Sequence, residues 1–255
     1  ASAYIDVALA LFVTLAIYAL TRWWRTLESE WLILIGIFLG AALSAKLTTV
    51  FIIAAFALVI LLRVRKAKES EPDRLVKILA SGFAALVLAG FIASPWYLRT
   101  WQQTDSPVFP FYLSILPAEA PGWDVERSNL FQAMNSQYGG AVKSPVDYLL
   151  APLNISVKAQ PEQAAYFDGV LGVTFLIGLP LLIFALWKFD LLIEVEIGTG
   201  IAAIVFLFWL FSSQQLRYLI PILPVIAIGI AAAVERLAEK RSPLYMAAKY
   251  SICVA

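Results

Sequence analysis

Histidine is absent from the 255 residues and cysteine occurs once, at Cys253. Without imidazole, any proton-transfer role must fall to Asp, Glu, Tyr or Lys. The near-absence of cysteine excludes a disulfide framework, and with no histidine a Cys/His metal site is impossible. No metal and no cofactor are expected. Charge of one sign is also lacking, since the formal net charge is +1. No global basic field argues for nucleic acid, and a nucleic-acid partner is not expected.

Apolar residues are what the sequence has in excess. They make up 61% of the chain, with a mean hydropathy of +0.81, against roughly 45–50% in soluble domains. Lys, Arg, Asp and Glu cluster in the gaps between long apolar runs, which a single large soluble core would not require. The pattern predicts an integral membrane protein of the all-α class, a polytopic helical bundle with the lipid bilayer as its first partner.

A spanning helix needs about 20 apolar residues. Residues 5–22, 77–94, 167–187 and 218–235 meet this, and 191–211 does so once Glu194 and Glu196 snorkel to the interface. The run 244–255 reads as a span cut short. The stretch 31–62 is too long for one crossing, because 32 helical residues reach about 48 Å. A single tilted helix would hold Lys46 near the midplane, at about 2.5–3.5 kcal/mol or more. A break at Ala45-Lys46-Leu47 gives two short spans, 31–45 and 47–62, and is the reading adopted. The organisation expected is spans 1–4 over 1–94, a partly folded loop region over 95–166, and spans 5–7 with a truncated eighth over 167–255. The chain starts at the edge of one apolar run and stops inside another, so it reads as a fragment, and no basic segment before the first run suggests a signal peptide.

With the break, the loops at 22–30, 63–77, 188–190 and 236–249 share a face carrying 13 of the 19 Lys and Arg residues. The positive-inside rule makes that face cytoplasmic. Asp6, Lys46, Arg99 and Arg217 then lie on the extracytoplasmic side. The 95–166 region, rich in aromatics such as Trp96, Trp101, Phe109, Phe111, Trp123 and Phe131, has too much apolar content for a disordered linker. It is expected to fold as a partly helical cap on the membrane, with Pro107, Pro110, Pro117 and Pro121 arguing against a long helix before Gly122.

Asp6, in YIDVALALF, reads either as a helix N-cap or as a catalytic carboxylate, and the two are compatible. Lys46, in GAALSAKLTTVF, reads as a snorkelling cation or as a phosphate ligand at a broken helix, where an ammonium and the free amides of a helix N-terminus suit an anion. Arg99, in SPWYLRTWQQTDSPVFPF, and Arg217, beside Tyr218 in SSQQLRYLIPILP, read as interfacial cations next to aromatic anchors or as guanidinium clamps for a phosphate. Asn154-Ile155-Ser156 is a glycosylation triplet of little weight.

At YIDVALALFVTLAIYAL, GIFLGAALSAKLTTVF, PWYLRTWQQTDSPVFPFY and QQLRYLIPILPVIAI, taken in order, the chain resembles the bacterial integral-membrane glycosyltransferases of the GT-C type. The similarity is to the family-39-like group that includes protein O-mannosyltransferases and lipid A aminoarabinose transferases. The resemblance implies a multi-span bundle that moves a hexosyl or pentosyl group from a polyprenyl-phosphate carrier to an extracytoplasmic glycan, lipid or protein acceptor, most simply at the bacterial inner membrane. It assigns Asp6 as the family's second acidic position near the active site. Lys46 falls on the lysine that contacts the carrier phosphate, and Arg99, Arg217 and Tyr218 join it on the donor. The family's principal catalytic acid lies in a first outer loop that would precede Ala1, so the chain is expected to be inactive alone. A transporter of an anionic or lipid-linked substrate, or an O-antigen polymerase or ligase, would also use outer cations.

Overall fold

Long runs without an ionisable side chain, closed by turns where charge or a left-handed residue enters, set the helices of this chain. The computed structural model describes residues 5–70, 72–118, 120 and 122–239. The run 244–255 and Cys253 lie outside the described residues. Among the described residues all regular structure is helical, apart from two isolated bridges, Ala120 with Trp123 and Gln160 with Phe167. The chain divides into two units, 1–136 and 137–255.

The first unit holds α1 (Ile5–Thr26), α2 (Ser29–Ala45), α3 (Thr49–Ser70), α4 (Leu75–Thr104) and α5 (Val125–Ser136). Leu27 takes a left-handed φ of 56° and its amide donates to the Trp23 carbonyl at 2.8 Å, which ends α1 and reverses the chain into α2. The helices then alternate in direction. At one end Arg63 lies over the Trp24 ring, 5.7 Å to the centroid, and Arg22 over Trp31 at 5.4 Å. At the other end Lys46 meets Asp6, and the Tyr97 hydroxyl donates to the Leu43 carbonyl at 2.9 Å. Tyr97 thereby satisfies one of the carbonyls that the last turn of α2 leaves without a helical partner.

Small residues bring α2 against α4. A Cβ at Gly36 would come 2.8 Å from Leu88 and 3.0 Å from the Ala85 carbonyl, and one at Gly40 would come 2.7 Å from Ile92 and 2.9 Å from the Ala89 carbonyl. Gly36 and Gly40 are one turn apart and face Ala85 and Ala89, also one turn apart. This is the small-residue seam by which membrane helices approach closely when lipid offers no hydrophobic drive for association.

α4 runs 30 residues, about 45 Å, through Pro95. The span expected over 77–94 stops one residue short of Pro95, whose ring nitrogen cannot donate to the carbonyl four residues back. The structure continues because the Ser94 hydroxyl donates to that same carbonyl, Phe91, at 2.7 Å. The helix stops instead at Asp105, in a left-handed conformation with φ 56°. Between 105 and 124 the described chain turns around an aromatic cluster in which Trp123 meets Phe109 at 6.0 Å and Phe131 at 6.1 Å.

The second unit holds α6 (Pro145–Leu149), α7 (Ala151–Val157), α8 (Val173–Lys188), α9 (Ile193–Leu210) and α10 (Leu223–Glu239), the last preceded by a 3-10 turn at Leu216–Ile222. Leu182, Ala185, Val195, Ile230 and Ala233 form its core between α8, α9 and α10. The expected span at 167–187 starts later, at Val173. Phe167 and Asp168 are left-handed, with φ 67° and 48°, and Gly172 has φ 81°. Asn154 is buried in α7, so the glycosylation triplet has no accessible acceptor in the folded chain.

A capping box opens α6. The Ser144 hydroxyl and amide donate to the Asp147 carboxylate at 2.7 and 2.9 Å, and the Asp147 amide donates back to the Ser144 hydroxyl at 3.4 Å. Those side-chain and backbone bonds from Ser144 hold the Asp147 carboxyl below its usual range. Because the folded value is the lower one, the cap contributes fully above the unfolded value of about 3.9 and is lost as pH falls through the folded value. The hydrogen-exchange protection of the Asp147 amide should therefore be high at neutral pH and fall only under acid, and Ser144→Ala should lower it at both.

Among the described residues, four helical segments are long and apolar enough to cross a membrane: Ile5–Thr26, Leu75–Thr104, Ile193–Leu210 and Leu216–Glu239. α2 and α8 are apolar but shorter, and α3 carries Arg63, Arg65 and Lys66 in its last third. Phe83, Val87 and Phe91 stand exposed along α4, with Trp96 and Trp101 beyond them. That is the arrangement of a lipid-facing surface with aromatic anchors near its end. The chain is an integral membrane protein with an all-helical fold.

Candidate functional site

Asp6 lies in the first turn of α1 and is 1% exposed. A carboxylate buried to that degree is stable only when paired, and its Oδ1 accepts from the Lys46 ammonium. Lys46 caps the C-terminus of α2 in an extended conformation, φ −158° and ψ 130°. Each charge therefore sits at the helix end whose dipole favours it, the anion at an N-terminus and the cation at a C-terminus. The pair is asymmetric. The Lys46 side chain retains 17% exposure against 2% for Asp6, so an arriving anion would meet the ammonium first.

The interruption between α2 and α3 spans three residues. The Lys46 amide and the Thr49 hydroxyl both donate to the Ala42 carbonyl, at 3.1 and 2.9 Å. The amides of Thr49, Val50 and Phe51 donate to the carbonyls of Lys46, Leu47 and Thr48, at 3.1, 3.0 and 3.2 Å. From the sequence, free amides at the α3 N-terminus are expected to join Lys46 in holding an anion. Those three amides are occupied within the turn, and the Lys46 ammonium is a compact cation of the kind that binds a phosphate.

Arg99 lies inside α4 rather than after its end. Two residues on a helix are about 200° apart, so with Tyr97 directed at α2, Arg99 points away from it and is exposed. α4 thus brings Tyr97 to the end of the unit that holds Asp6 and Lys46, and turns Arg99 outward.

Arg217 and Tyr218 belong to the second unit, in the 3-10 turn that leads into α10. Arg217 Nε donates to Gln215 Oε1 at 2.8 Å, and its guanidinium lies over the Tyr218 ring, 5.4 Å to the centroid. Gln215, 2% exposed, donates through Nε2 to Asp168 Oδ2 at 2.7 Å, while Asp168 Oδ1 accepts from the Glu162 amide at 2.9 Å. The backbone is locked at the same place. The Leu216 amide donates to the Phe167 carbonyl at 2.8 Å and the Trp209 indole to the Gln215 carbonyl at 2.9 Å. Tyr138 is close enough to feel these charges: burial and the Asp168 carboxylate raise its phenol, with Arg217 opposing, so it stays protonated and a donor at neutral pH.

Asp168 and Gln215 were not singled out in the sequence. The available signal was a polar residue at the mouth of an apolar run, in YFDGV and SSQQLRY, where ionisable and amide side chains at membrane depth mark function. Among the described residues no three Asp, Glu, His or Cys side chains gather as a metal site would require. A groove of about 520 Å³ between α8 and α10 is lined by apolar side chains, Thr174 and Glu235. It offers no cation to a phosphate.

Neither a curated protein nor a solved structure matches the chain. A family model does match, over residues 2–103, less than half of the chain. The segment that contains Asp6, Lys46 and Arg99 thus carries the pattern of the dolichyl-phosphate-mannose-protein mannosyltransferase family, membrane glycosyltransferases of the GT-C type.

Proposed function

We propose that the protein transfers a hexosyl or pentosyl group from a polyprenyl-phosphate-linked donor to an extracytoplasmic glycan, lipid or protein acceptor, in a bacterial inner membrane. The observation that carries this is the buried Asp6–Lys46 pair at a helix interruption inside the segment that matches a glycosyltransferase family. α2 and α8, which are shorter, and α3, whose last third is basic, serve as further crossings beside the four apolar ones.

The reaction is an inverting displacement. The acceptor oxygen bonds the anomeric carbon, the bond from that carbon to the carrier phosphate breaks, a carboxylate takes the acceptor proton, and the carrier leaves as a phosphate whose charge cations stabilise. Lys46 meets a donor phosphate in the first unit, and within the second unit Arg217 with Tyr218 forms a guanidinium–aromatic pair that suits a phosphate. Arg99 reaches phosphate from the lipid-facing side of α4. Asp6 holds the Lys46 ammonium and is the second acidic group of the site, beside the carboxylate that takes the acceptor proton.

Binding of a radiolabelled polyprenyl-phosphate sugar to the protein in nanodiscs tests the assignment. A hydrogen bond to a charged group is worth about 1.5–3 kcal/mol, or roughly 10- to 150-fold in affinity. Lys46→Ala should weaken binding by that factor, and so should Asp6→Asn/Lys46→Ala, which leaves no unpaired buried charge to disturb the fold. Wild-type affinity in the folded double variant would sink the site. Uptake of an anion into vesicles without sugar transfer would favour a transporter instead.

A further inference from the structure

Within the second unit, three side chains are threaded in one direction: the Arg217 Nε–H donates to Gln215 Oε1, the Gln215 Nε2–H donates to Asp168 Oδ2, and the Glu162 amide anchors Asp168 from the far side. We propose that Gln215, held by Asp168, is a positioning residue that sets the pose of the Arg217 guanidinium for a phosphate or phosphodiester oxygen. The proposal rests on the polyprenyl-phosphate reading above and names what makes Arg217 selective for the phosphate.

Hydrogen-bond polarity dictates what can stand between the charges of Asp168 and Arg217. Asp168 offers only acceptors and Arg217 only donors, so the residue between them must accept on one side and donate on the other. An amide does this and a carboxylate does not. Gln215 is 2% exposed, so either half left unmatched would go unsatisfied in a buried place. Holding the guanidinium through Nε, on its stem side, fixes the plane of the fork made by its two terminal nitrogens. That fork is the part of arginine that matches two oxygens of a phosphate. The Tyr218 ring under the guanidinium fixes the same plane a second time.

The carboxylate that starts the relay is itself aimed by backbone geometry. Asp168 and Phe167 are consecutive non-glycine residues with positive φ, a conformation that persists only when surrounding contacts enforce it. Those contacts are present, because the Phe167 carbonyl accepts from the Leu216 amide and its ring stacks on Trp209 at 6.2 Å. The start of α8 and the segment before α10 are thereby joined at backbone and side-chain level around Arg217. An arginine that served only as an interfacial cation would need neither connection.

The test compares binding of a polyprenyl phosphate with that of the corresponding polyprenol, which lacks only the phosphate, with inorganic phosphate as competitor to separate a lipid headgroup from the free ion. Wild-type protein should prefer the phosphate. Gln215→Leu and the isosteric Gln215→Glu should each lose about tenfold or more of that preference, with polyprenol affinity unchanged. In Asp168→Asn/Gln215→Glu the bond between 168 and 215 is reversed, the bond from Arg217 keeps its direction, and the relay is complete. The amide introduced at position 168 can donate to the carboxylate introduced at position 215, which in turn accepts from Arg217. The preference should return to within about threefold of wild type on the same scale. Retained preference in Gln215→Glu, or parallel loss of phosphate and polyprenol affinity, would overturn the positioning role. Should Gln215→Leu not fold, Gln215→Glu carries the comparison. Absence of any phosphate preference in wild type would sink the donor reading itself, whereas a preference lost in Asp6→Asn/Lys46→Ala but kept in the Gln215 variants sinks only this inference.

Discussion

Lys46→Met should destabilise the protein by about 3–5 kcal/mol, the cost of leaving a buried charge without its partner. The stranded group is Asp6, 1% exposed in the first turn of α1. Asp6→Asn should cost less. It strands Lys46 instead, whose side chain keeps 17% exposure and a flexible stem that can carry the ammonium to headgroups. The double variant Asp6→Asn/Lys46→Met should recover most of the loss, because two neutral groups of similar shape replace an ion pair whose desolvation offset much of its attraction. Chemical unfolding of the four proteins in one detergent gives the double-mutant cycle. Additive losses, with no recovery in the double variant, would show that the contact does not matter to the fold.

The second large effect is expected at the seam between α2 and α4. Gly40→Ala, the smallest change available, should cost about 2 kcal/mol, and Gly40→Leu about 3 kcal/mol. The new Cβ would lie 2.9 Å from the Ala89 carbonyl, and backbone cannot swing aside as a side-chain tip can. Gly90→Ala is the control. It lies on α4 with nothing within 4 Å of its Cβ position, so it should stabilise the helix by up to about 1 kcal/mol through propensity alone. Unfolding midpoints in that order support the seam, and a Gly40→Ala protein as stable as wild type would refute it. The seam also bears on function, since α2 carries Lys46 at its end. Gly40→Leu should weaken donor binding even though residue 40 lies about one and a half turns from the ammonium.

The two effects differ in how far the sequence foreshadows them. The length conflict of 31–62 and a lysine at its midpoint are one-dimensional facts, and the structure resolves them by interrupting the helix between Ala45 and Thr49. The partner of that lysine is not a one-dimensional fact. Asp6 and Lys46 are 40 positions apart, and only the antiparallel run of α1 against α2 brings them together. Arg99 shows the reverse. Its place two residues after Tyr97 was visible, but the turn-by-turn rotation of a helix that survives Pro95 decides that Tyr97 faces α2 while Arg99 faces out. In the second unit Arg217 was readable as a cation at the mouth of an apolar run. The amide and carboxylate that hold it were not, because their contact depends on a left-handed pair at Phe167 and Asp168 that no residue-type preference encodes.

The sequence by itself determined that this protein lives in a membrane and folds as helices. Both follow from how much apolar surface the chain carries and how far apart its charges lie, and those quantities do not change on folding. Tertiary structure alone decided which charges meet. Pairing requires a particular rotation of each helix about its axis and a particular distance between axes, and packing sets both: the reversal at Leu27 lays α1 against α2, and glycine and alanine let α2 touch α4.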